Sequence, residues 1–288
     1  MANAPRGLVA RRKLCGGDTT CYHTGPTVPM QTVLGSMALD DRRAIAALFT
    51  CEADHVAVPW ETPVMNDYAV TQQIVGTANA GTLASGFGAQ VHLALEHCLI
   101  RKERRIGRFV DENTDFRIPG AGYPRAMGTI TSHFPAIVQQ AARLGSQFLK
   151  RHVHGHTLLE VESSYTLEDR TFPAGRGAAD DAYPYEAHVD ALLQTTVRNR
   201  NTLWATELKT KWGKPNTKLP TRDFVQAAAQ ALAVSRGRAA RGGTPTTGAI
   251  LIVLHIEPVL APALLQVSLW RMPPSKLSKV DTLFRCAK

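Results

Sequence analysis

The stretch Val189-Asp190-Ala191-Leu192-Leu193-Gln194-Thr195-Thr196-Val197-Arg198-Asn199-Arg200-Asn201-Thr202-Leu203-Trp204-Ala205-Thr206-Glu207-Leu208-Lys209 decides how this chain is read. Ala187 to Thr196 and Thr202 to Lys211 read as two strands joined by a turn at Arg198 to Asn201. Paired as a hairpin, they bring Asp190 and Glu207 together. Two converging carboxylates suit a hard divalent cation. Lys209 stands two residues beyond Glu207, so both side chains share one face of the strand. The backbone carbonyl of Leu208 offers a further oxygen ligand. Glu-x-Lys by itself is a common surface pattern. Asp190 adds the weight, because a carboxylate inside an apolar run needs a partner or a metal.

This set of groups suits phosphodiester hydrolysis. A bound metal lowers the pKa of water and screens the charge of the scissile phosphate. Lys209 can hold or activate that water and stabilise negative charge as it develops. Asp190, Glu207 and Lys209 are therefore the expected catalytic residues.

Outward from this hairpin, the pattern gives an order of elements. Upstream, a helix begins near Leu39 with Asp40 and Asp41 in its first turn. Leu83, Phe87, Val91, Leu95 and Cys98 form the apolar stripe of a second helix, with Gly88, His92 and Glu96 beside it. A third helix is expected over Pro135 to Lys150. Thr157 to Thr166 alternates as a strand, and Phe172 to Pro184 reads as a loop. Downstream of the hairpin, Thr221 is expected to cap a helix over Arg222 to Ser235. Gly237 to Gly248 reads as a loop. Ala249 to His255 is an apolar run suited to a buried strand, and Leu264 to Arg271 can pair beside it.

This pattern resembles the PD-(D/E)xK nuclease superfamily, in which an Asp on one strand and Glu-x-Lys on the next bind the metal. Gly88-Ala89-Gln90-Val91-His92-Leu93-Ala94-Leu95-Glu96 is similar to the first motif of its RecB-like, lambda-exonuclease-like branch. The resemblance implies an α/β fold with a restriction-endonuclease-like core, a mixed central β-sheet flanked by helices. It implies a metal site of His92, Asp190, Glu207 and the Leu208 carbonyl, holding Mg²⁺ or Mn²⁺. A histidine ligand shifts that choice toward Mn²⁺. Glu96, one turn beyond His92, and Glu160 on the first core strand would support the ligands from behind. The branch often carries Gln-x-x-x-Tyr on the next helix. Here Gln226 supplies the first residue and Gln230 stands where Tyr is usual. Gln226, Lys211, Trp212 and Arg222 are the expected substrate contacts, with Trp212 able to stack on an unpaired base. The resemblance covers roughly Thr82 to His255. Some members of the branch carry an iron–sulfur cluster, with three cysteines after the nuclease core; only Cys286 is placed late here, so no cluster is expected.

Composition fits these expectations. The chain has 288 residues and a formal net charge of +9, and a basic balance favours acidic partners such as DNA. Its five cysteines are widely spaced and odd in number, unlike a secreted disulfide framework. No run of eighteen apolar residues is present, so no spanning helix and no membrane partner is expected. Residues 1–35 read as a flexible basic tail, and 36–288 as the nuclease domain with its core over about 82–271. The substrate expectation is linear or single-stranded DNA cut by an exonuclease, in recombination, repair or replication. An endonuclease and a non-catalytic nucleic-acid-binding protein are the alternatives. The expected setting is cytoplasmic or nucleoid-associated, or the mitochondrial matrix if the basic N-terminus is a transit peptide. A second copy of the chain or a recombination protein stays open as a partner.

Overall fold

The computed structural model describes residues 26–53, 58–60, 156–173, 182–212, 219–239, 246–257 and 263–285. Two short helices come first, α1 (Met30–Ser36) and α2 (Leu39–Ala46), then two short strands, β1 (Thr50–Ala53) and β2 (Val58–Trp60). The main strands are β3 (His156–Pro173), β4 (Ala182–Val197) and β5 (Arg200–Trp212). Helix α3 (Thr221–Ala239) follows, then β6 (Thr246–Glu257), β7 (Ala263–Met272), a 3-10 turn and α4 (Leu277–Arg285).

The strands form one mixed sheet in the order β1-β7-β6-β5-β4-β3, with β2 also paired to β7. Among the described strands only β5 and β6 pair in parallel, and α3 makes the crossover that a parallel pair requires. The expected order of three strands, helix, strand, strand is present, so the chain is mixed α/β around a mixed sheet.

The β4–β5 hairpin forms as the alternation suggested, with a tighter turn. Val197 pairs with Arg200, leaving a two-residue loop of Arg198 and Asn199 at φ 49 and 62. Positive φ at both loop residues is the type I′ geometry, whose twist matches the flanking strands. Arg200 and Asn201 thus belong to β5 rather than to the turn.

Four boundaries differ from the pattern. The Phe172–Pro184 loop is shorter, because β3 runs to Pro173 and β4 begins at Ala182. The acidic and basic residues Glu168, Asp169 and Arg170 concealed this continuation. They fall in an irregularity between Leu167 and Thr171, and pairing resumes with Thr171, Phe172 and Pro173. Order also begins before residue 36. Val28 bridges Tyr185 and is buried, and α1 buries Val33. Thr221 is the first helical residue rather than the cap, and Gly248 lies in β6 rather than in a loop. A Cβ at Gly248 would come within 2.6 Å of the Trp204 ring and 2.8 Å of the Met272 carbonyl, which is why glycine sits there.

Helix α3 organises the core. Every residue from Asp223 to Val234 is buried except Gln226. A helix apolar nearly all round is a buried one. Its alanines, Ala227 to Ala229, Ala231 and Ala233, keep its surface low against β3 to β6. Val225, Leu232 and Val234 pack with Leu192, Leu203, Leu251 and Val253 of the sheet and with Ile45 and Phe284 of the outer helices. Phe224 stacks edge-on against Trp270 at 5.2 Å between centroids. The other sheet face, with Leu193, Leu208, Ile250 and Ile252, is buried too.

Candidate metal centre

Pairing of β4 with β5 runs from the turn to Ala191↔Thr206 and ends there. Beyond that point β4 stays with β3 and β5 with β6. Asp190 and Glu207 are the next residue on each strand. The two carboxylates therefore stand where the hairpin opens. Directly opposed residues share one sheet face, and here that face carries α3.

Asp190 solves part of its burial through the backbone: the Leu208 N–H donates to its Oδ2 at 2.7 Å. The N–H and C=O of one strand residue face the same neighbour, so the Leu208 carbonyl also turns toward Asp190. Glu207 is almost fully buried, 2% exposed. Lys209, on the same face, donates to its Oε1. Gln226 Nε2 reaches the same oxygen at 2.6 Å. Gln230 Nε2 donates both to Oε2 and to the His188 carbonyl on β4. Both partners of that nitrogen are acceptors, which fixes the orientation of the Gln230 amide.

The electrostatics follow from burial. Glu207 is pushed up to about 7, first by desolvation and next by the charge of Asp190, against the opposing pull of Lys209 and Gln230. Burial alone would drive Lys209 down. The charge and hydrogen bond of Glu207, with Asp190 and Asp223 behind it, overcome this and hold its ammonium above the ordinary range. Tyr185, buried on β4, is driven well up by burial and then by the charges of Glu207 and Glu186, so it stays a neutral hydroxyl.

The other expected residues are distributed differently. Gln226 and Lys211 point inward instead of toward an open surface. Gln226 holds Glu207, and Lys211 Nζ lies 2.7 Å from Asp223 Oδ2. Arg222 is exposed, its Nε 3.6 Å from Asp223 Oδ1. Trp212 ends β5. Glu160 is not brought to the metal centre. Its carboxylate accepts from Tyr165 Oη at 2.6 Å and pairs with Arg238, two turns of α3 beyond Gln230. His92 and Glu96 lie outside the described residues.

Asp223 and Tyr185 went unsuspected in the sequence, and Gln230 was only a departure from a motif. Tyr185 had a signal: Tyr183, Tyr185, Ala187 and Val189 alternate, with the last three buried. Asp223 sits in the first turn of α3, where an acid ordinarily reads as a complement to the helix dipole.

The donor set fits a hard cation. Asp190, Glu207 and a main-chain carbonyl supply oxygens only, and the mutual repulsion of two buried carboxylates is what a cation relieves. Among the described residues no group of three His, Cys, Asp or Glu side chains assembles. Among the described residues no helix is long and apolar enough to cross a membrane. No protein-family model matches the chain, and no curated protein matches it.

Proposed function

We propose that the chain is a divalent-metal-dependent deoxyribonuclease built on a restriction-endonuclease-like core of the PD-(D/E)xK, RecB-like kind. One observation carries the reading. Asp190 and Glu207 are buried side by side where β4 and β5 separate, with Lys209 on Glu207. Supporting it is the topology, three antiparallel strands followed by a helix crossover to a parallel strand.

In this reading Asp190, Glu207 and the Leu208 carbonyl hold Mg²⁺ or Mn²⁺, with His92 as a further ligand. The metal supplies Lewis-acid activation of water and of the phosphate. Lys209 remains an ammonium at neutral pH, so its task is to donate to a phosphoryl or attacking oxygen and stabilise charge. Gln226 and Gln230 fix the Glu207 carboxylate, and Gln230 ties it to β4. DNA as substrate accords with the net charge of +9 and suggests a cytoplasmic or nucleoid setting, or the mitochondrial matrix.

The test is incubation of the full chain with linear and circular DNA, single- and double-stranded, in Mg²⁺ and in Mn²⁺. Degradation confined to linear forms is expected of the exonuclease. Cutting of closed circles would make it an endonuclease. Absence of cleavage over both metals, with DNA still bound, would remove the enzymatic reading.

A further inference from the structure

The β4–β5 turn is built unlike the rest of the surface. All six residues from Thr196 to Asn201 are exposed, and Val197 is 65% exposed. Arg198 and Asn199 both hold positive φ, a conformation in which Asn-Gly or Asp-Gly is the favoured pair and an arginine is strained. The tip is nevertheless closed, with Thr196 Oγ1 donating to Asn201 Oδ1 at 2.8 Å. Local strain held in a well-formed turn points to use.

Charge sharpens the point. Arg43, Arg170, Arg236, Arg238, Arg271 and Arg285 each lie within 4.0 Å of a carboxylate. Among the described residues no carboxylate pairs with Arg198 or Arg200. The two cations thus stand on a short, closed loop at the end of the strands that carry Asp190 and Glu207. Seven strand steps separate Asp190 from Val197, about 23 Å at ~3.3 Å each. Along one strand of B-DNA that distance spans about seven phosphates.

We infer that this hairpin tip is a DNA-backbone clamp, in which Arg198 and Arg200 grip phosphates on the order of 20 Å from the bond to be cut. The inference rests on the reading of the chain as a DNA-cutting enzyme. The clamp sets register on the substrate and takes no part in the chemistry. Phosphate contacts of this kind position a protein without reading sequence.

The experiment measures affinity of the full chain for a labelled 20-base-pair duplex in EDTA, across a salt series. The variant Arg198→Asn/Asn199→Gly/Arg200→Thr gives the turn its preferred residues, so its melting temperature should equal or exceed that of wild type. Its affinity should fall about tenfold at low salt. The slope of log K against log salt should flatten by about 1.8, the loss of two phosphate contacts. Arg198→Lys/Arg200→Lys keeps the charge and should keep the slope. Wild-type affinity and slope in the neutral variant, or a Lys variant as weak as the neutral one, would overturn the clamp. If wild type binds and cuts DNA while the neutral variant matches it, only the clamp fails. If wild type binds no DNA, the nuclease reading fails with it.

Discussion

Helix α3 carries a polar cluster toward each end, and the two are built on opposite principles. Near its C-terminal end, Asp281 of α4 is shared by three guanidinium groups: Arg170, Arg236 at 2.9 Å and Arg285 at 3.0 Å. Asp169 lies in the same cluster, 3.6 Å from Arg236, so three cations meet two acids, and the cluster fastens α4 and β3 to α3. In the first half of the helix Glu207 alone takes one ammonium and two neutral amides, beside a second buried acid, Asp190, which accepts from the Leu208 N–H. The first cluster is satisfied as it stands. In the second, two buried carboxylates repel one another, the condition a cation relieves. On the proposed function, the difference separates an ion network that holds the fold from a site prepared for chemistry, although both are rich in charged residues. Perturbed proton affinity in a buried pair is the usual mark of the second kind.

The contrast can be broken in order of effect. Glu207→Ala and Lys209→Ala should each lower DNA cleavage in Mn²⁺ by at least about 100-fold, with DNA binding retained; cutting at the wild-type rate by either variant would show the site misassigned. Asp281→Ala should do the reverse. It takes the carboxylate from Arg170, 8% exposed, and leaves it only the main-chain carbonyl of residue 281 and Asp169 at 3.9 Å, at a cost of about 3 kcal/mol, read as a lower melting temperature with cleavage per folded molecule unchanged.

Third comes pH. The proton affinity of folded Glu207 is raised from 4.5 to about 7, so the folded state binds this proton more tightly than the unfolded chain. The stability it contributes is full below about pH 4.5 and is lost as pH rises through about 7. Metal-free wild type should therefore lose on the order of 3 kcal/mol across that window relative to Glu207→Gln. Equal pH profiles for the two proteins would contradict the buried, repelled carboxylate. The smallest effect belongs to Gln230→Leu, which removes the hydrogen bonds that tie the proposed ligand Glu207 to the His188 carbonyl of β4. It should weaken Mn²⁺ binding by about 10-fold to 100-fold in calorimetry.

Much of this contrast was legible in the sequence on one side only. Asp190, Glu207 and Lys209 could be placed together because strand period and a short turn are local signals. Gln226 was visible as a polar residue on the following helix, but its engagement with Glu207 depends on how α3 lies across the sheet. The same is true of Gln230, whose value lies in two acceptors on two different strands. Glu160 follows the same rule: its place on the neighbouring strand was readable, while its pairing with Arg238, 78 residues away, was not. The Asp281 hub was invisible, since Arg170, Arg236 and Asp281 meet only when β3, α3 and α4 pack. The β3 and β4 extensions were hidden by charged residues that the irregularity after Leu167 accommodates.

The central claim is that Asp190 and Glu207 jointly hold a divalent cation. Mn²⁺ titration of the full chain, followed by calorimetry and by loss of the free-ion paramagnetic resonance signal, addresses it directly with wild type, Asp190→Asn, Glu207→Gln and Lys209→Ala. The account predicts saturable binding to wild type, loss in both carboxylate variants, and retention in Lys209→Ala. Undiminished Mn²⁺ binding by Asp190→Asn or Glu207→Gln would contradict it.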